Sequence, residues 1–565
     1  MIKTAPVYTV ENQCQDCYKC VRHCHCKAIR IINGKASVIA ENCVACGGCV
    51  KVCPSHAKII RSELARLRQM LDSNCKLYAS VAPSFAAYFP GITIGQLASA
   101  LKKLGFTGVS ETAVGAQLVS SQTADFLKKC DWPLAISSAC PACVDYIRKY
   151  HPQYTKNIVP LSSPVLAHCR MLKKEFGSDS KVIFFGPCAA KKNEADRNPE
   201  LLSLAVTFQI LEELLEEKNI VPAAEKESAL VLEAAEEGRF YAIEGGMNDT
   251  LRDGNAGVRY ISVSGLENLD RMLKRGGNAS GRRKIFLEAL ACPGGCINGP
   301  VIPEENAGGL DVIAGTDLIS TMEPSSQRQL QGDIRENFCA EPLSLPQTPE
   351  RELTAALARV GKFTRDDELN CGACGYNTCR EFAAALLQDK AEEAMCHTYL
   401  RKNFERTSNA LIRFIPAAVV LVDENLNICE CNRNFAVMSG MGDVYDALGN
   451  LNTIAIETPL PDFAELFSSV ISNGGEIEKF NQKLKDKIVN ISVFSIARGK
   501  SAGAVIQDIT KNELRREQIA EKAREVIRKN VLTVQQVARL FGEHVADTEI
   551  LLNEIAGSYQ RRGGE

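Results

Sequence analysis

Three cysteine patterns dominate the chain and take up sixteen of its 24 cysteines. The first is Cys14-x2-Cys17-x2-Cys20-x3-Cys24, followed by Cys43-x2-Cys46-x2-Cys49-x3-Cys53-Pro54. The second is dispersed over Ser-Ser-Ala-Cys140-Pro, Gly-Pro-Cys188-Ala-Ala-Lys191 and Ala-Cys292-Pro-Gly-Gly-Cys296. The third is Cys371-Gly-Ala-Cys374-Gly-Tyr-Asn-Thr-Cys379, completed by Cys396. Thiols at these spacings point to metal ligation. Three on one short loop can reach three corners of an iron–sulfur cube, and a fourth arrives from elsewhere. Tetrahedral zinc also uses Cys-x2-Cys and is the alternative, most seriously for the isolated third set. The dispersed set is the most informative, because sulfurs so far apart in sequence converge only if a folded domain carries them. Buried structural thiols are the competing explanation there.

The bulk properties frame this chemistry. A chain of 565 residues is too long for one core and implies about three to five domains. Apolar content of 45% and charged content of 24% are ordinary for globular protein. A net charge of −2 without a long basic run argues against a nucleic-acid partner. The opening Met-Ile-Lys-Thr-Ala-Pro-Val-Tyr has no apolar stretch or cleavage site. The most apolar run, Ile415 to Val422, falls far short of the roughly 20 residues that span a bilayer. A cytoplasmic protein without membrane contact is expected. In a reducing compartment its cysteines serve metal or redox chemistry rather than disulfides.

The elements that must position these thiols can be outlined from pattern. From about Cys75 to Ala340, helical and strand-like segments alternate. Lys181–Phe185 and Tyr241–Ile243 read as short buried strands, and Thr93–Leu104 and Leu204–Glu217 as amphipathic helices. An α/β domain with the dispersed cysteines in strand–helix loops follows. Pro342–Glu352 reads as a polar linker. Arg380–Ala394 reads as a helix that returns Cys396 to the loop of Cys371. Beyond it, Ile415–Asp423 and Ala504–Thr510 read as strands, and Ile428–Phe435 as a strand turning into a helix. Alternation puts Cys429 and Cys431 on one strand face. In the tail, Ile519, Ala523, Val526, Asn530, Thr533, Val537 and Leu540 keep a 4-3 spacing. That suits a dimeric coiled coil, or a single amphipathic helix packed on the preceding domain. Cys75, Cys130 and Cys339 are expected to be small buried apolar groups.

Four resemblances sharpen the picture. The first pattern resembles the double cubane run of bacterial ferredoxins, which implies that Cys14, Cys17, Cys20 and Cys53 hold one [4Fe-4S] cluster and Cys43, Cys46, Cys49 and Cys24 a second. It departs at Cys24-His25-Cys26, where proline is usual after the cysteine. The dispersed set, with Val81-Ala-Pro-Ser84, Val159-Pro-Leu-Ser-Ser163 and Ser264-Gly-Leu-Glu-Asn268, resembles the catalytic domain of [FeFe] hydrogenases over roughly 76–300. The resemblance implies an H-cluster, a cubane joined to a two-iron unit bearing CO and cyanide. Cys140, Cys188, Cys292 and Cys296 would hold the cubane, with Cys296 as the bridge. Lys191 would face a cyanide, and Glu194 would orient Lys191. Gly294 and Gly295 would let the loop approach the iron. The chain departs from the family where proton-relaying cysteine is Ala139, and also at Cys143, Gly186 and Leu290. No acidic pair stands near Val119-Ser-Ser-Gln122. Proton delivery should therefore be slow unless Cys169 or water substitutes. The third pattern resembles a small four-cysteine [4Fe-4S] domain, and Leu411–Thr510 resembles a PAS domain.

Together these predict a multidomain chain: an α+β ferredoxin module (1–62), an α/β hydrogenase H-cluster domain (75–340), a small helical four-cysteine domain (355–400), an α+β PAS domain (405–512) and a helical signalling tail (513–565). The implied protein is a hydrogen-sensing [FeFe] hydrogenase acting on H2 and protons. It would meet a ferredoxin-like redox partner and a downstream phosphatase or kinase, and could dimerise through its PAS domain and tail. The alternatives are a non-catalytic iron–sulfur scaffold without the two-iron unit, and an ordinary ferredoxin-coupled hydrogenase.

Overall fold

The computed structural model describes residues 5–73, 75–232, 237–251, 257–275, 284–306, 332–344, 348–510, 522–531 and 533. The chain divides into two compact units, Met1–Cys396 and His397–Glu565. Among the described residues, no helix is long and apolar enough to cross a membrane.

The first unit opens with two antiparallel strand pairs. β1 (Val7–Thr9) pairs with β4 (Lys58–Ile60), and β2 (Ile29–Ile32) with β3 (Lys35–Val38). The cysteine runs lie between them in matching backbone conformations. Asp16 and Tyr18 flank Cys17 at φ of 53° and 55°, and Ala45 and Gly47 flank Cys46 at 52° and 78°. Left-handed residues alternating with ordinary ones turn successive N–H groups into a concavity that favours an anionic group.

The central domain contains two parallel sheets. β5 (Leu77–Val81), β6 (Gly108–Glu111), β8 (Lys181–Gly186) and β9 (Leu204–Thr207) form one, ordered β6-β5-β8-β9. β7 (Leu134–Ile136), β10 (Val258–Ser264) and β11 (Lys284–Leu290) form the other, ordered β10-β11-β7. Helices cover these strands, so β5 and β6 are buried throughout, as continuous apolar strands of parallel sheets are. The helix Ile94–Lys103 starts where expected, fixed by a reciprocal capping box between Thr93 and Gln96.

Two assignments differ from the sequence reading. Leu204–Thr207 is strand β9 pairing with β8, and the helix spans only Phe208–Glu217. A four-residue apolar run fits either period, and pairing with β8 decides it. Tyr241–Ile243 is not a strand, since Glu237–Ala242 forms a 3-10 turn. Gly238 lies so close to the Ala113 carbonyl that a β-carbon would sit 1.9 Å from it, and the Tyr241 hydroxyl bonds Ser120 at 2.9 Å. The turn is tied down by Arg239, which makes two 2.7 Å bonds to the fully buried Glu111 carboxylate. Arg239→Met would strand that charge, at a cost of about 3–5 kcal/mol. The expected result is a lower urea midpoint, read from the fluorescence of Trp132, the chain's one tryptophan.

The four-cysteine segment packs the helix Glu350–Arg359 on the helix Cys379–Leu387 through Leu357, Cys379 and Ala383. The first of these helices begins inside the expected linker. The second is shorter than Arg380–Ala394, because the chain turns left-handed at Asp389 (φ 52°) before a 3-10 turn at Glu393–Met395.

In the second unit, helix His397–Phe414 precedes a five-stranded antiparallel sheet. Its strands are β12 (Ala418–Asp423), β13 (Ile428–Cys431), β14 (Glu476–Leu484), β15 (Lys487–Ala497) and β16 (Ser501–Asp508), in the order β13-β12-β16-β15-β14. Cys429 and Cys431 do not share an environment. A bulge pairs Leu421 with Glu430 but Val422 with Ile428, which leaves Cys429 exposed and Cys431 buried. In the tail, residues 522–531 are helical; Ile519, Val537 and Leu540 lie outside the described residues.

Candidate metal centres

Three parallel strands stop just ahead of the dispersed cysteines. β7 ends at Ile136 before Cys140, β8 at Gly186 before Cys188, and β11 at Leu290 before Cys292. The carboxyl ends of such strands are where α/β sheets bind ligands. Cys140 is the N-cap of helix Pro141–Tyr150, and helix Ala190–Arg197 begins just after Cys188. Cys140, Cys188, Cys292 and Cys296 line one cavity of about 360 Å³, walled further by Pro187 and Leu290. The three remote segments thus converge. Four sulfurs around one concavity form the donor set of a cubane, and the residues present fit that group.

Burial pushes the Cys188 and Cys296 thiols up to about 11 and about 12, and that of Cys292 well above its usual range. Cys140 moves the other way, to about 6, chiefly because the buried Cys143 thiol hydrogen-bonds to it. The backbone N–H groups of Cys143 and Ala291 and the nearby Lys191 ammonium act in the same direction. Loading metal on the other three must therefore expel protons.

Lys191 is buried. Its Nζ lies 2.6 Å from Glu194 Oε2 and donates to Ser163 Oγ at 3.1 Å. Ser163 belongs to a segment singled out from sequence. The departures are also built in. A β-carbon on Gly186 would lie 2.4 Å from the Phe184 ring, so Phe184 fills the space a larger residue would need. Cys169 is fully buried in the core of the β5–β8 sheet, and burial raises its thiol pKa. It does not line the cavity.

The other sets assemble as well. Cys14, Cys17, Cys20 and Cys53 line a cavity of about 350 Å³. Cys49 lies within electrostatic reach of Cys46, Cys24 and Cys43, so the fourth thiols are crossed between the two runs. Cys374 is similarly near Cys396, Cys371 and Cys379. Cys46 also lines the central cavity, beside Pro300. A β-carbon on Gly47 would sit 2.5 Å from Pro300, so the close approach of the N-terminal loop depends on glycine there. Tyr150 secures the same seam by donating to the carbonyls of Cys26 (2.9 Å) and Asn42 (2.8 Å). Among the described residues, no three His, Cys, Asp or Glu side chains are grouped closely enough to hold one metal ion. Cys75 and Cys339 are exposed and Cys130 is half-buried, contrary to expectation; each lies outside the packed strands.

Residues 75–300 match the family model described as iron only hydrogenase large subunit, C-terminal domain. The central domain is [FeFe]-hydrogenase-like. Residues 36–59 match a 4Fe-4S binding domain, and residues 367–397 an Fe-S cluster domain. The NADP-reducing hydrogenase subunit HndD of Solidesulfovibrio fructosivorans is 24% identical over 424 residues, covering 59% of this chain and 72% of that protein. The nuclear prelamin A recognition factor of Xenopus laevis is 23% identical over 392 residues, covering 56% and 82% respectively. A solved structure of a variant of the [FeFe]-hydrogenase HydA1 from Chlamydomonas reinhardtii aligns with 50% of this chain and all of its own (100%), at 18% identity and a TM-score of 0.41.

Sequence reasoning passed over two carboxylates of the hydrogenase-like domain. Glu288, on β11, is 2% exposed, and burial pushes its carboxyl up to about 7. Its Oε1 accepts from the Met247 N–H and its Oε2 from the Ser262 hydroxyl, each at 3.2 Å. Its charge reaches Cys296. The second, Glu244, is exposed and accepts from the Ser264 hydroxyl at 2.5 Å. Ser264 in turn accepts from the Gly294 N–H at 3.0 Å, in the loop that carries Cys292 and Cys296. The available signal was a single acid in the otherwise apolar run Ile285-Phe-Leu-Glu-Ala-Leu290.

Proposed function

We propose that the protein is a slow, hydrogen-sensing [FeFe]-hydrogenase-type oxidoreductase. The observation that carries this reading is the convergence of Cys140, Cys188, Cys292 and Cys296 on one cavity at the ends of β7, β8 and β11. These four would hold the cubane, with Cys296 also bridging to the two-iron unit. When bound, the H-cluster supplies the Lewis-acid and redox chemistry that splits H2 heterolytically. Lys191, held by Glu194 and Ser163, offers a fixed ammonium for an anionic ligand of that group.

Proton handling falls to other residues. Ala139 has no exchangeable side-chain proton. Glu288 does, and at about 7 it can both accept and release one near neutrality. Ser262 and Ser264 stand on the same strand, bonded to Glu288 and Glu244 respectively. They stand two residues apart on that strand, one beside the buried carboxyl and one beside the exposed one.

The remaining thiol sets suit [4Fe-4S] clusters that carry redox state away from the cavity. The sheet order β13-β12-β16-β15-β14 supports a PAS reading of the second unit. In this reading the PAS domain and tail pass the signal to a cytoplasmic kinase or phosphatase, with dimerisation through the same elements. The decisive experiment is infrared spectroscopy on anaerobically matured protein. Bands from bound CO and cyanide are expected. Their absence from protein with every cubane assembled would reject hydrogen chemistry and favour an iron–sulfur scaffold.

A further inference from the structure

Lys27 sits between two four-cysteine sites. Its Nζ donates to the Gly375 carbonyl at 2.7 Å and lies 5.7 Å from the centroid of the Tyr376 ring. Both Cys24 and Cys374 are within its electrostatic reach, and the buried Tyr376 lies near the same two thiols. The four-cysteine segment is sewn to the N-terminal module all along this seam. Ile31 N–H donates to the Lys390 carbonyl at 3.1 Å, and the N–H groups of Asn33 and Gly34 donate to the Glu392 carboxylate at 2.5 and 3.2 Å. Gly375 has φ of 93°, and a β-carbon there would lie 2.8 Å from Val21, so the loops meet at contact distance. Lys27 itself has φ of 45°, a left-handed conformation that costs a lysine more than it would cost glycine or asparagine. That local cost is offset by contacts that only a long cationic side chain can make.

We propose that Lys27 is a positioning residue shared by two cluster sites. Its charge sets together the reduction potential of the site closed by Cys24 (with Cys43, Cys46 and Cys49) and that of the site of Cys371, Cys374, Cys379 and Cys396. Through Lys27 the four-cysteine module is coupled to the second ferredoxin-like site, while Arg22, which donates to the carbonyls of Ala373 and Cys17, ties the same module to the first by backbone contacts alone. The inference rests on reading both thiol sets as cubane ligands and is independent of the two-iron unit. Reduction adds one electron and one negative charge to a site. A fixed ammonium between two such sites favours the reduced form of both. Because Cys46 of the same site lines the central cavity, that site borders both neighbours.

The test is a potentiometric titration of the full, anaerobically reconstituted chain, followed by electron paramagnetic resonance. Lys27→Met is expected to shift two midpoint potentials downward, those of the Cys24 and Cys374 sites, and Lys27→Arg to restore them. The Cys14 site should stay where it is. A shift at only one site, at neither, or equally at the Cys14 site overturns the proposal. Gly375→Ala is a second probe, expected to weaken the magnetic interaction between the same two reduced clusters; an unchanged interaction counts against the seam. Infrared bands of the two-iron unit report separately on the hydrogenase reading.

Discussion

Glu288→Gln is expected to lower hydrogen turnover by about 10²–10⁴-fold, the usual contribution of a positioned acid or base. The carboxyl is 2% exposed, is held by Met247 N–H and the Ser262 hydroxyl, and titrates at about 7 because burial disfavours its charged form. Glutamine keeps the shape but cannot exchange a proton in that range. Below about 7 the group carries its proton, and above it the group is a base. Hydrogen oxidation by the unaltered protein should therefore rise with pH through neutrality, whereas the glutamine variant should be flat. The folded-state value lies above the ordinary 4.5, so this group's stabilising contribution is full below pH 4.5 and lost as pH rises through about 7. The variant should accordingly lose less stability as pH rises from 4.5 to about 7. Steady-state oxidation with a dye acceptor across neutrality checks the first part. A drop in rate with an unchanged pH profile would make Glu288 structural.

Ala139→Cys should act in the opposite direction, raising turnover by about 10²–10⁴-fold. The amide of Ala139 donates to Ser137 Oγ at 3.2 Å, and its side chain packs in the cluster that contains Tyr241 and Met247. The Tyr241 hydroxyl bonds Ser120 at 2.9 Å, and Ser120 bonds Thr250 at 2.7 Å. A thiol at 139 would thus join a cluster that holds the Tyr241 hydroxyl and also Met247, whose N–H bonds Glu288. The two routes would run in parallel, so the double variant Ala139→Cys with Glu288→Gln should recover activity over Glu288→Gln alone. No gain in either background would mean that the missing cysteine does not limit the rate.

Two of the thiol groupings expected from spacing and family resemblance are seen directly as cavities, one lined by Cys140, Cys188, Cys292 and Cys296 and the other by Cys14, Cys17, Cys20 and Cys53. What the sequence left hidden depends on pairing and proximity. Leu204–Thr207 became a strand only because β8 offered an edge. Cys429 left the face of Cys431 because one extra residue entered the ladder. Glu288 looked like any surface acid until the strand carrying it was buried on both faces. Lys27 carried no signal, since its partners Gly375 and Tyr376 are remote in sequence.

The convergence of three strand ends on one cavity also constrains how the protein is made. Each N-terminal cysteine run gathers three sulfurs on a single loop, so those centres can begin to form on a nascent chain. The central cavity has no wall until β7, β8 and β11 are all in place, and its last two thiols, Cys292 and Cys296, leave the ribosome last. An inorganic core held by these four thiols would therefore be completed only after translation of the domain.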